Sequence, residues 1–226
     1  MLIPGLLASA RMYAAQIPYL WRAGPVMIAD HTRDESISAI ARRILSAAPA
    51  RFALVGLSMG GYIAFEILRQ APERIAKVAL LDTSAGADAP EQTAMRRSQM
   101  ALASQGRLGE VVEQQLPRLV RREHRADPAL RQVFTLMAED VGAAGFIRQQ
   151  TAILGRSDSR PTLGSIRCPA LVLVGEEDEL TPPERAAEIA AGIPGARLAT
   201  VAQCGHMSTL EQPDEVTRAL LVWLGD

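Results

Sequence analysis

The 226-residue chain is poor in lysine, cysteine and histidine, and each shortage narrows its chemistry. Lys77 is the single lysine among 24 basic residues. With the abundance of alanine, this bias toward arginine reads as codon usage in a GC-rich genome before it reads as function. Basic and acidic residues nearly cancel to a formal net charge of −1, which removes a global electrostatic case for nucleic acid or an anionic membrane. The two cysteines, Cys168 and Cys204, are too few and too far apart for a metal motif or a disulfide framework. One should precede a strand and the other follow the next, which sets them roughly 20 Å apart at ~3.3 Å per residue. A disulfide needs Cα atoms within about 7 Å, so two free thiols are expected, as suits a reducing cytoplasm. No apolar run reaches the ~18 residues of a membrane span. The opening MLIPGLLASARM ends in a signal-like Ala8-Ser9-Ala10, but it lacks a basic leader and Pro4-Gly5 breaks its short apolar run. A cytoplasmic protein is expected, and nothing in the chain speaks to its oligomeric state.

What is present is an alternation of short apolar runs with amphipathic helical patterns, the mark of a parallel sheet covered by helices. Strands are expected at Leu2-Ile3 and over 25–29, 52–56, 76–81, 170–174 and 197–201. Helices are expected over 10–20, from a cap at Asp34 or Ser36 to about Leu45, and over 60–70, 183–191 and 213–224. Between 87 and 165 the alternation stops. Four helices, over 90–104, 108–120, 128–141 and 143–154, predict an insertion folded over one sheet edge within a single domain.

Phe52 to Gly61 place a G-x-S-x-G motif, Gly56-Leu57-Ser58-Met59-Gly60, between a buried strand and a helix, the context that motif requires. A serine on so sharp a turn needs neighbours without Cβ atoms. At the helix N-terminus the Met59 N–H would face a developing oxyanion. Alone, the motif also fits a helix-capping serine in a glycine-rich turn, with or without a phosphate.

A nucleophilic serine needs a base, and only three histidines are available. His124 lies in the charged Arg121–Arg125 run and reads as solvated. His31 follows the 25–29 strand and competes. His206, in Cys204-Gly205-His206-Met207, follows the last strand. The orienting acid should follow an intervening strand: Glu176, Glu177, Asp178 and Glu179 all qualify, and Asp82, after the preceding strand, is the alternative.

These segments resemble the α/β-hydrolase superfamily over nearly the whole chain. The resemblance rests on GLSMGG at 56–61, VGEEDELTPP at 174–183 and GHMSTLEQP at 205–213, in the family's order of Ser, Asp, His. It implies an α/β-hydrolase fold of about six parallel strands, without the family's first two strands, and a helical cap after its sixth. It also implies a triad of Ser58, Asp178 and His206, an oxyanion hole formed by the Leu6 and Met59 N–H groups, and no metal or organic cofactor. Pro4 stands where the family usually has histidine before the glycine, so any support that histidine gives must come from elsewhere.

Such a site would act on a small molecule, an ester, thioester or lactone, through an acyl-enzyme on Ser58. Alternatives are C–C bond hydrolysis, lyase or acyltransferase chemistry at the same triad, and a non-catalytic ligand-binding homologue. Of the insertion's apolar residues Met95, Met100, Val112, Leu116, Phe134, Met137 and Phe146, most should pack between helices and a few should line the pocket. Its arginines, Arg118, Arg121, Arg122 and Arg125 among them, read either as a solvated helix face or as attraction for an anionic substrate.

Overall fold

The computed structural model describes residues 1–225. Its sheet is built from β1 (Leu2–Ile3), β2 (Phe52–Leu57), β3 (Ile75–Leu81), β4 (Ala170–Gly175) and β5 (Arg197–Val201). All neighbours are parallel, and the spatial order is the sequence order. The central strands are apolar on both faces, as a sheet covered on both sides requires. Val78 and Leu80 of β3 and Val172 and Val174 of β4 enter one core, with α2 (Ile37–Ala47), α3 (Met59–Gln70) and α7 (Pro183–Gly192). Ala79, Leu81, Leu171 and Leu173 enter the opposite core, with α1 (Ile17–Ala23) and α9 (Pro213–Gly225).

Five strands stand where six were expected. The 25–29 segment forms a single parallel bridge, Ile28 to Leu2, closed by Leu2 N–H to Met27 O and Ala29 N–H to Leu2 O. The reason lies in its neighbour: β1 pairs through only two residues, so 25–29 has too short a row of partners to become a strand. The expected 10–20 helix is also divided, into a 3₁₀ turn at Ala10–Tyr13 and α1. Ser36 caps α2 through the Ala39 N–H, while Asp34 pairs with Arg43.

Between β3 and β4 lie α4 (Pro90–Ser104), α5 (Leu108–Leu119) and α6 (Pro128–Leu154). The two helices expected over 128–154 run on as α6, broken at Gly142, whose φ of 69° is left-handed. The short α8 (Ser208–Glu211) precedes α9. Among the described residues no helix is long and apolar enough to cross a membrane, and both cysteines are free.

Candidate active site

Ser58 sits where β2 gives way to α3, at φ 53° and ψ −115°, a conformation a non-glycine residue holds only when its surroundings impose it. Three contacts impose it. Ser58 N–H continues the ladder to Leu81 O at 2.9 Å, Gly61 N–H donates to Ser58 O at 2.9 Å, and the Thr83 hydroxyl donates to the same carbonyl at 2.8 Å. The turn also needs its glycines. A Cβ on Gly56 would lie 2.3 Å from Gly60 O, and one on Gly60 would lie 2.1 Å from Ile3 O. The motif's spacing thus reflects backbone running against backbone.

His206 is carried on the loop after β5. Its Nδ1 lies 2.8 Å from Asp178 Oδ2 and 3.2 Å from the Thr181 hydroxyl. Both members of the pair are buried. Asp178 is held by its own turn: Oδ1 accepts the Leu180 and Thr181 N–H groups at 2.8 and 2.9 Å, and Oδ2 accepts the Thr181 hydroxyl at 2.8 Å. Burial pushes the Asp178 carboxyl up, but the charge and hydrogen bond of His206, with the Thr181 bonds, outweigh it and hold the group below the ordinary carboxylate range. For His206, burial works against protonation, and the charge and hydrogen bond of Asp178 overcome it, raising the imidazole above its usual 6.5. A carboxylate against Nδ1 places the proton there and leaves the lone pair on Nε2. That Nε2 is buried without a hydrogen-bond partner.

Ser58 and His206 line one cavity of about 230 Å³ at the carboxyl end of the sheet, where open α/β sheets bind ligands. Leu6 and Met59, the expected oxyanion donors, line it too. Met59 opens α3, so its N–H has no partner within the helix. The loop carrying Leu6 is fixed on either side. Leu7 N–H donates to Gln149 Oε1 at 3.0 Å, and His31 Nε2 lies 2.8 Å from Gly5 O and 3.0 Å from the Gln149 amide nitrogen. His31 is buried, and that burial lowers its pKa. It therefore supports the loop beside Ser58 without lining the cavity.

Asp82 and His124 bond to partners other than Ser58, Asp178 and His206. Asp82, at the end of β3, is fully buried; its Oδ1 accepts Gly175 N–H at 3.0 Å and its Oδ2 accepts a very short bond from the Ser208 hydroxyl. Burial, then the charge of Asp178, push its pKa up to about 8. It is Asp178 that meets His206 Nδ1. His124, expected in a solvated patch, is half-buried, with Nδ1 2.9 Å from Glu211 Oε2. Glu211 also accepts the Arg121 N–H at 2.8 Å and, through Oε1, the Gly205 N–H at 2.9 Å, tying the His206 loop to the segment after α5. The sequence pattern assigned no role to Glu211 or Gln149. Glu211 was visible in the GHMSTLEQP segment, whereas nothing local marked Gln149, whose partner is 142 residues away.

Of the helical residues, Met95, Val112, Phe134 and Met137 reach the cavity, while Leu116 and Phe146 pack in the core. Arg118 reaches the cavity as well. Arg121 and Arg125 pair instead with Glu123 and Glu179.

The model of the Alpha/beta hydrolase family matches residues 2–219. Similar solved structures include a thermophilic esterase from Thermogutta terrifontis with malate bound, at 29% identity and TM-score 0.87, covering 99% of this chain and 88% of that one. The enol-lactonase from Burkholderia xenovorans LB400 shares the fold, at 24% identity and TM-score 0.88, covering 100% and 91%. Among curated proteins, the pimeloyl-[acyl-carrier protein] methyl ester esterase of Chromobacterium violaceum is 27% identical over 187 residues, 80% of this chain and 73% of that protein.

Proposed function

Since the chain belongs to the Alpha/beta hydrolase family, we propose that it is a serine hydrolase acting on a small carboxylic ester, thioester or lactone through an acyl-enzyme on Ser58. The observation that carries the reading is the buried His206, bound through Nδ1 to Asp178, with an unpartnered Nε2, and lining with Ser58 the same cavity. An imidazole so held is a proton acceptor, and Ser58 is the cavity nucleophile in need of one.

In the first step the Ser58 Oγ bonds to the substrate carbonyl carbon as its proton passes to His206 Nε2. The negative charge that gathers on the carbonyl oxygen is met by the Leu6 and Met59 N–H groups, the latter at the positive end of α3. His206 returns the proton to the leaving oxygen or sulfur, and that bond breaks. Water then gives a proton to His206 Nε2 as its oxygen bonds to the acyl carbon, the acyl–Oγ bond breaks, and His206 returns that proton to Ser58 Oγ. Asp178 stays ionised throughout, holding the tautomer and stabilising the imidazolium. The helices between β3 and β4 act as a lid that shapes the cavity. The cavity volume of about 230 Å³ suits a small substrate better than a long acyl chain.

The test has two parts. A fluorophosphonate probe should label wild-type protein and not Ser58→Ala, with the adduct mapped to residue 58 by mass spectrometry. A screen of 4-nitrophenyl esters by chain length, alongside lactones and thioesters, should give turnover that Ser58→Ala and His206→Ala lose by several orders of magnitude. A folded protein that neither reacts with the probe nor turns over any of these compounds would refute the reading.

A further inference from the structure

The wall of the Ser58 cavity is polar in a one-sided way. Five arginines line it, Arg96, Arg118, Arg156, Arg160 and Arg185, and among the described residues no aspartate or glutamate does. Their acidic partners lie behind them and are outnumbered. Asp88 alone serves two guanidiniums, bonding Arg96 Nε at 2.5 Å and Arg156 Nη1 at 2.6 Å. Arg160 pairs with Asp158, and Glu188 lies 3.6 Å from both Arg160 and Arg185. The contact of Arg118 is the Met95 sulfur at 3.2 Å, with no carboxylate beside it among the described residues. Four arginines thus share three carboxylates and Arg118 has none among the described residues, so this group carries two more positive than negative charges, and the ionised Asp178 behind His206 offsets only one of them.

Two of these arginines are deep in the protein. The Arg96 and Arg156 side chains are 11% and 6% exposed, and Asp88 between them is 6% exposed. Burial pushes the Asp88 carboxyl up, yet the bonds and charges of Arg96 and Arg156 pull it below the ordinary range, so it is ionised. The group as a whole is one carboxylate with two guanidiniums, a buried net positive charge. Arg156 also lies over the Tyr62 ring, 4.1 Å from its centre, and its buried Nε has no hydrogen-bond partner. Neutral amides extend the polar wall: Gln150 Oε1 accepts from Arg96, and Gln99 Oε1 accepts from both Gln150 and Gln115. A buried positive charge with too little counter-charge is costly unless something else supplies it.

Resting on the hydrolase reading, we infer that the substrate carries a carboxylate besides the bond that Ser58 attacks, and that the arginine side of the cavity receives it. The planar guanidinium fork suits a carboxylate, and enclosure by low-dielectric walls strengthens the attraction. The apolar residues of the lining, Leu7, Met12, Val112, Phe134 and Met137 among them, take the apolar part. A short half-ester of a dicarboxylic acid combines both features within about 230 Å³.

The experiment compares the mono-4-nitrophenyl ester of glutaric acid with its neutral methyl-capped analogue, which keeps the length and removes the charge. Wild-type kcat/KM should favour the anionic ester by about tenfold or more, and added salt should shrink the ratio. Arg118→Gln and Arg156→Gln should each lower the ratio, with circular dichroism checking that they fold. In parallel, glutarate and its monomethyl and dimethyl esters are titrated by calorimetry into Ser58→Ala, which reads recognition without turnover. Binding should strengthen with each free carboxylate and weaken in the double variants that add Arg118→Gln or Arg156→Gln. Equal turnover of the two 4-nitrophenyl esters would overturn the inference while leaving the hydrolase reading intact. Glutarate binding without turnover of any ester would overturn the hydrolase reading and keep the anion site. If Ser58→Ala binds glutarate no better than its dimethyl ester, the anion site is wrong whatever the kinetics.

Discussion

Gln149 Oε1 accepts the Leu7 N–H at 3.0 Å, joining α6 to the loop whose Leu6 lines the cavity. Gln149 is completely buried, and its amide nitrogen lies against His31, which in turn meets Gly5 O. The two side chains grip the loop on both sides of Leu6, and Leu7 itself is held at a φ of 55°. These bonds hold the loop in which Pro4 stands where the resemblance leads one to expect a histidine. Gln149→Leu keeps the volume and removes the acceptor. It should lower kcat by about tenfold, less than the 10²–10³-fold typical of losing an oxyanion donor outright, with little change in KM. Steady-state kinetics on a reactive ester check this. A fall confined to KM would assign Gln149 to substrate binding instead.

Asp178 and Asp82 are both buried near His206, yet only Asp178 bonds to it. Asp178→Asn should cost about 10⁴-fold in kcat by favouring the wrong tautomer. Asp82→Asn should cost far less, because an amide can still accept from Gly175 N–H and bond Ser208. Its effect belongs to stability. The folded Asp82 carboxyl keeps its proton up to about pH 8, whereas an unfolded one loses it near 3.8. Across that window the unfolded state binds fewer protons, so the wild-type stability contributed by this group falls as pH rises. Urea unfolding at pH 5 and pH 8 should therefore show Asp82→Asn gaining on wild type at the higher pH. A constant difference would mean that Asp82 ionises normally in the fold.

The readable and unreadable parts of the molecule divide along a physical line. The elbow at Ser58, where β2 turns into α3, could be read because Gly56 and Gly60 are required by contacts within a few residues or with the neighbouring strand. The Asp178 turn likewise encodes its own hydrogen bonds, with Leu180 and Thr181 two and three residues on. Pairing is different. Residues 25–29 have strand composition, but their length as a strand was decided by how much of β1 lay beside them. The arginine wall was equally hidden, since Arg96 and Arg156 meet at Asp88 only after α4 and α6 pack together. Arg118 and Arg125 look alike in sequence, and packing alone sends one to the cavity and the other to Glu179.

The close approach at the elbow makes a stability prediction with an internal control. Gly60→Ala drives a Cβ to 2.1 Å from Ile3 O, and a main-chain carbonyl cannot rotate away as a side chain can. The cost should be about 1–3 kcal/mol or more, as for overpacking generally, and fluorophosphonate labelling should fall because Ser58 shifts with the turn. Gly109→Ala, within α5 and with nothing within 4 Å of the added Cβ, should stabilise by up to about 1 kcal/mol. Thermal and urea unfolding of the two variants check both signs. Equal effects would mean that the elbow relaxes more easily than its contacts imply.

The pH dependence of turnover follows from the coupling of His206 to Asp178. Only neutral imidazole can accept the Ser58 proton, so kcat/KM should rise with pH as His206 loses its proton in the free enzyme. Burial alone would carry that midpoint below the ordinary histidine value. The Asp178 charge and hydrogen bond act the other way and prevail, so the acid limb should lie above pH 6.5. Asp178→Asn removes the largest raising influence and leaves burial in place. The limb of the residual activity should then move to lower pH, even as the maximum falls by orders of magnitude. A carboxylate-bearing substrate adds no confusion while its own group stays ionised, as it does above about pH 5. Profiles of kcat/KM taken at constant ionic strength on a neutral ester decide the matter. If the limb stays at the same pH in Asp178→Asn, the titrating group that gates turnover is some other residue than His206.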